Sequence, residues 1–138
     1  MPHIAPRPLV AVAFCMLLGA CSGIAATPAG TGGDPMISDD ATFTLQPGAT
    51  VTLADASHLR YVGIVNDSRC PPDVQCIWAG DAEVALAWQA PGNAPAHDFS
   101  LHTGRGDKSA TLGARRLTLL SLARGAAPAA ELKIERIE

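Results

Sequence analysis

From Ala41 onward, apolar and polar residues alternate. Phe43 and Leu45 interleave with Thr42 and Thr44, and Val51 and Leu53 with Thr50 and Thr52. Alternation of this kind marks a strand with one face in a core and the other in water. Leu59 to Val65 is a mixed apolar run, read as a strand buried on both faces. Val84, Leu86 and Trp88 share one side of a further strand, opposite Glu83, Ala85 and Gln89. Phe99 with Leu101, Leu117 with Leu119, and Leu132 with Ile134 repeat the pattern among polar neighbours. Pro47-Gly48, Pro91-Gly92-Asn93, Gly104-Arg105-Gly106-Asp107 and the stretch from Gly125 to Pro128 separate these runs. Seven short strands divided by turn signals predict an all-β domain over residues 41–138. The expected form is an antiparallel β-sandwich, with a small barrel as the other closure. Parallel βαβ units need helical crossovers of a dozen residues or so. The only helical candidate, Ala123 to Ala130, is limited by Gly125 and Pro128. The domain's aromatics are Phe43, Tyr61, Trp78, Trp88 and Phe99. Aromatic side chains bury the most surface per residue, so most of these are expected inside.

The chain ahead of this domain has a different texture. Met1 to Pro8 is short and polar, with Arg7 and no acid, and Leu9 to Leu18 is an unbroken run of ten apolar residues. Such a run is too short to span a bilayer and suits the core of a signal peptide. It ends in Leu18-Gly19-Ala20-Cys21. Small residues before a cysteine fit the cleft of a signal peptidase, and a thiol just after the cut can carry a lipid. The segment resembles the lipobox of bacterial lipoproteins. That resemblance implies a removed leader, residues 1–20, and a lipidated N-terminus at Cys21 that contacts the membrane. An ordinary signal peptide cut nearby, or an uncleaved anchor, is the alternative. Residues 21–40, rich in Gly, Ala, Pro, Ser and Thr, read as a flexible tether. In a Gram-negative host, Ser22 lacks the aspartate that retains lipoproteins in the inner membrane. The expected location is therefore the outer membrane, facing the periplasm.

Charge narrows the partners. Ten basic and 13 acidic residues give −3, or −4 once Arg7 leaves with the leader. There is no basic patch for nucleic acid and no basic amphipathic helix for a membrane surface.

Cysteine count then points to the middle of the domain. Cys15 falls in the leader and Cys21 is the lipidation candidate, so Cys70 and Cys76 remain. They lie in VNDSRCPPDVQCIWAGDAEV, Val65 to Val84, between the third and fourth expected strands. In an oxidising compartment two such thiols persist as a bridge, and a tight loop brings their Cα atoms within range. A ring this small stabilises by about 2 to 2.5 kcal/mol in the chain-entropy model. Asp67 and Ser68 can turn the chain, and Pro71 and Pro72 stiffen it. A disulfide-closed loop is therefore expected. A redox pair favours two intervening residues at a helix N-terminus, which this spacing lacks. A closed zinc site needs four ligands, and His58, His97 and His102 are scattered; the last two face opposite sides of a strand. No metal or cofactor is expected. A periplasmic redox or metal-binding protein using Cys70 and Cys76 stands as the alternative.

Three loop residues are candidates for binding: Arg69, Asp73 and Trp78. Arg69, among Asp67, Asp73 and Asp81, is either part of a salt-bridged loop or of a binding patch. Trp78 either packs under the loop against the bridge or stacks on a ligand. The blocks Asp67-Ser68-Arg69-Cys70-Pro71 and Cys76-Ile77-Trp78-Ala79-Gly80 also resemble a signature of small bacterial secreted proteins and lipoproteins without assigned function. The resemblance implies a β-sandwich with a disulfide loop and brings no catalytic residues. The chain departs from the family pattern at its C-terminus, where a final edge strand is expected to be truncated.

Other chemistry finds no support in the spacing. No serine sits in a nucleophile elbow and no glycine-rich phosphate loop precedes a helix. Asp67, Asp73 and Asp81 lack the spacing of a calcium loop. Arg105-Gly106-Asp107 reads as a hairpin tip. The expected function is a non-catalytic envelope module, not an enzyme, that binds a protein or a glycan. A variant of that reading is an inhibitor that presents the Arg69 to Gly80 loop to a hydrolase.

Overall fold

The computed structural model describes residues 33–138. The leader, Cys21 and the first part of the tether lie outside the described residues. Among those described, nine strands form: β1 (Met36–Ile37), β2 (Thr42–Leu45), β3 (Thr50–Leu53), β4 (His58–Asp67), β5 (Ala82–Gln89), β6 (Ala96–His102), β7 (Ser109–Leu112), β8 (Arg115–Leu122) and β9 (Ala130–Arg136). One sheet has the order β1-β3-β4-β5-β6, the other β2-β9-β8-β7. All pairings are antiparallel except that of β1 with β3.

The alternation seen in the sequence builds the core directly. Val51, Leu53, Leu59, Tyr61, Val84, Leu86 and Leu101 come from the first sheet. Leu45, Leu112, Leu117, Leu119, Leu132 and Ile134 come from the second, and together they form one buried cluster. Two inner faces meeting in this way make a sandwich.

Several details differ from the sequence reading. The Leu59 to Val65 run is not buried on both faces. In β4, Tyr61 pairs with Leu86 and Gly63 with Ala85, so Val62 has no partner across the ladder; Val65 is skipped in the same way. Each bulge inserts one residue and re-aims its side chain, and both valines end up exposed. Leu120 in β8 follows the same rule between Leu119 and Ser121.

The domain also begins before Ala41. Met36 and Ile37 pair with Thr52 and Leu53, and the Thr52 N–H donates to the Pro35 carbonyl at 2.9 Å. Asp39 binds the guanidinium groups of Arg115 and Arg136. Residues 36–40, assigned to the tether by composition, thus belong to the sandwich. The short strand β7 was hidden because only Ala110 and Leu112 mark it. Pro47-Gly48 carries the chain from one sheet to the other rather than closing a hairpin. The last strand, β9, lies between β2 and β8.

Each end of the sandwich is closed by a buried or half-buried arginine. At the His58 end of β4, Arg115 pairs with Asp39 and Asp55. At the Asp67 end, Arg69 reaches from the first sheet to the end of β8 in the second.

Candidate functional site

The site is built on the connection between β4 and β5. Two rungs prolong their ladder past Asp67: Ser68 N–H donates to the Asp81 carbonyl at 2.7 Å, and Cys70 N–H to the Ala79 carbonyl at 3.1 Å. Ser68 Oγ reinforces the first rung by donating to the same carbonyl at 3.0 Å. Between the rungs lies Gly80, at φ +72°. A Cβ there would come within 1.9 Å of the Ser68 carbonyl oxygen, so only glycine closes the base of this loop.

Beyond the rungs, Cys70 and Cys76 form the expected disulfide, with Cα atoms 5.9 Å apart. Val74 N–H donates to the Pro71 carbonyl at 3.2 Å. Pro72 holds the second position of that turn, where its fixed φ is pre-set. Asp73 follows it, exposed at the tip, and no ion pair involves it among the described residues.

Arg69 is not available to a ligand. Its Nε and Nη2 donate to the two oxygens of Asp67 at 2.9 and 2.6 Å. Nη1 donates to the Leu122 carbonyl at 2.6 Å, and Nη2 also to that of Ala123 at 2.9 Å. The Arg69 guanidinium in turn holds the Asp67 carboxyl below its ordinary range. The salt-bridged reading of Arg69 therefore describes it, and of the three candidate loop residues it is the one whose work is internal.

Of the two readings of Trp78, packing beneath the loop does not describe it. It is 70% exposed, and its neighbour Ile77 is 94% exposed. The two rungs carry the loop on from the β4–β5 ladder. Tyr61 is buried, and its hydroxyl donates to the Pro128 carbonyl at 2.9 Å. The contact the indole makes is with the β6–β7 loop. From that loop the Arg105 guanidinium lies 5.4 Å from the centroid of the Trp78 ring.

Asp81 ties the two loops together, a role the sequence reading missed. His102 Nδ1 donates to Asp81 Oδ2 at 2.6 Å. Gly104 N–H and Thr103 Oγ1 donate to Asp81 Oδ1 at 2.7 and 3.2 Å. Thr103 Oγ1 also accepts from Ala82 N–H at 2.9 Å. Burial opposes ionisation of Asp81, but the His102 bond and the N–H groups of Gly104 and Arg105 outweigh it and hold the carboxyl at about 2. A Cβ on Gly104 would come 2.8 Å from the Gly80 carbonyl oxygen, so the loops meet backbone to backbone. Asp81 follows Gly80 in sequence, but 21 residues separate it from His102. Only strand pairing, Glu83 with His102, brings them together. The Arg105-Gly106-Asp107 stretch is accordingly not a hairpin tip. It crosses from β6 in one sheet to β7 in the other, with Arg105 folded against Trp78.

Between the loops runs an open groove of about 790 Å³. Ile77, Trp78 and Ala79 give it apolar surface, and Arg105 is the cation lining it. Its polar groups are engaged within the fold: Asp81 as described, and Ser68 Oγ with the Asp81 backbone. The histidines stay apart, with His97 stacked near Trp88, His102 on Asp81 and His58 near Thr52 and Asp34. No cluster of three metal-ligating side chains occurs among the described residues, and no helix there is long and apolar enough to cross a membrane. No protein-family model matches this chain, and neither a curated protein nor a solved structure does.

Proposed function

We propose that this is a lipid-anchored envelope protein whose β-sandwich is a non-catalytic binding module, with the disulfide loop as the face it presents to a protein partner. The observation that carries the reading is the exposure of Ile77 and Trp78 side by side on a loop that is already rigid. A disulfide, two prolines and two ladder rungs fix that loop before any partner arrives, which lowers the ordering cost of binding. Exposed tryptophan in a stiff frame is a common anchor of protein interfaces.

Within the two classes of partner, protein is favoured over glycan. Sugar hydroxyls call for several side chains with free donors and acceptors, whereas the carboxylate and hydroxyl lining this groove are already bonded. The same engagement favours binding over acid–base chemistry by Asp81. The blocks that resemble the secreted family, Asp67–Pro71 and Cys76–Gly80, make the base and rim of this loop. We take the loop as the working part of that family, with Cys21 as its anchor in the outer membrane.

The test is photo-crosslinking in living cells. A photoreactive amino acid replacing Ile77 in the full-length protein should give one discrete protein adduct. The same residue in place of Arg60, on the outer face of β4, should not. No adduct at position 77, or equal adducts at both, would overturn the reading. Labelled palmitate should enter the wild type and not Cys21→Ser.

A further inference from the structure

We infer that the groove between the disulfide loop and the β6–β7 loop takes an extended acidic segment of the partner protein, a carboxylate beside a large apolar side chain, with Arg105 selecting the carboxylate. The inference rests on the binding reading above and adds the chemistry of what is bound. Arg105 lines the groove, and it forms no ion pair among the described residues. Arg69, at the base of the disulfide loop, is engaged with Asp67 and two carbonyls. Asp81 also lines the groove, but its carboxylate already receives the bonds from His102, Thr103 and Gly104 and so does not compete for Arg105.

A guanidinium held over an aromatic ring keeps its fork of N–H donors available to a carboxylate. Its backbone is held beside the groove, because Asp81 accepts from the N–H of Gly104 immediately before it, and its guanidinium lies 5.4 Å from the Trp78 ring centroid. Ile77, Trp78 and Ala79 then offer apolar surface for the residue next to that carboxylate. The protein as a whole is acidic. The attraction is therefore local and sensitive to salt, not a long-range steering of acidic partners.

The test is selection of a random dodecapeptide phage library on the full-length protein, followed by affinity measurements on the selected peptides. Enriched sequences should place Asp or Glu within two positions of Trp, Phe, Leu or Ile. Replacing that acid by its amide should weaken binding about fivefold to tenfold, and Arg105→Gln should do the same, with Arg105→Lys between. Raising the salt to about 0.5 M should weaken the wild type and leave Arg105→Gln little changed. Circular dichroism of the variants should match the wild type, since Arg105 is exposed. Selected peptides that lack acids, or whose affinity ignores Arg105→Gln, would overturn the inference. So would selection of no peptide while a uronate-bearing oligosaccharide binds. A discrete adduct at position 77 together with acid-free peptides would leave the loop as a binding face and remove only the carboxylate. Loss of both the adduct and the peptides would remove both.

Discussion

The guanidinium of Arg69 donates to the carbonyl of Leu122 at 2.6 Å, so a residue of the disulfide loop closes the end of a strand in the opposite sheet. Three acceptors, Asp67 and the carbonyls of Leu122 and Ala123, lose their partner if it is removed. Arg69→Ala should therefore cost about 2–3 kcal/mol. Arg69→Lys should recover little of that, because an ammonium cannot make the fork of bonds to Asp67 while reaching both carbonyls. Denaturant midpoints at unchanged slope would measure both. A wild-type midpoint for Arg69→Ala would show that the clamp contributes nothing.

Gly80 and Gly48 make a matched pair. Both have positive φ, +72° and +84°, but a Cβ on Gly48 meets nothing within 4 Å while one on Gly80 meets the Ser68 carbonyl. Gly48→Ala should cost about 1–2 kcal/mol from the backbone alone. Gly80→Ala should cost about 3 kcal/mol or more, because the loop base must open. Equal melting temperatures for the two variants would contradict the close approach.

The disulfide closes a seven-residue ring from Cys70 to Cys76. Replacing both cysteines by serine should lower stability by about 2 kcal/mol, a fall of about 8–16 °C in Tm for a domain of this size. Mass spectrometry of unreduced protein should find one peptide holding both residues. Two rapidly alkylated thiols in protein from its native compartment would move the assignment to redox chemistry.

Asp81 and Asp39 set the acid limb of the stability curve. The His102 bond and backbone N–H groups, outweighing burial, hold Asp81 at about 2, and Arg115 and Arg136 hold Asp39 at about 2, against an ordinary 3.8. Both carboxyls are depressed on folding. Their contribution is thus present above pH 3.8 and is lost as the pH falls from there towards 2. Denaturant midpoints should fall steeply over that window. Asp81→Asn should be destabilised at neutral pH by about 1–3 kcal/mol and show a shallower acid limb. An acid limb identical to wild type would mean that Asp81 does not titrate with unfolding.

Trp78 should matter little to stability and much to binding. Trp78→Ala should shift unfolding by no more than about 1 kcal/mol, its contact with Arg105 being at the surface. Indole fluorescence should show one readily quenched tryptophan that this substitution removes. A large loss of stability would mean that the ring packs under the loop against the bridge.

Periodicity and composition alone determined the class of fold, seven of the nine strands among the described residues and the disulfide. Alternation of apolar side chains is a local signal that specifies which face of a strand is buried, and Cys70 and Cys76 are the two cysteines within the stretch of alternating strands. The bulges at Val62, Val65 and Leu120 were not legible, because an inserted residue leaves the apolar run intact and alters only its partner. Nor was β1, whose two residues are a strand only because β3 offers an edge. Which side chains meet at the groove was decided by tertiary structure. Asp81 and His102 meet through strand register, and Arg105 meets Trp78 because two loops far apart in the chain are brought together at one end of the sandwich. Arg69 and Trp78 were found from sequence as residues of interest. Which of them faces inward and which faces water depended on tertiary partners: Arg69 found acceptors at the end of β8, and Trp78 did not enter the core.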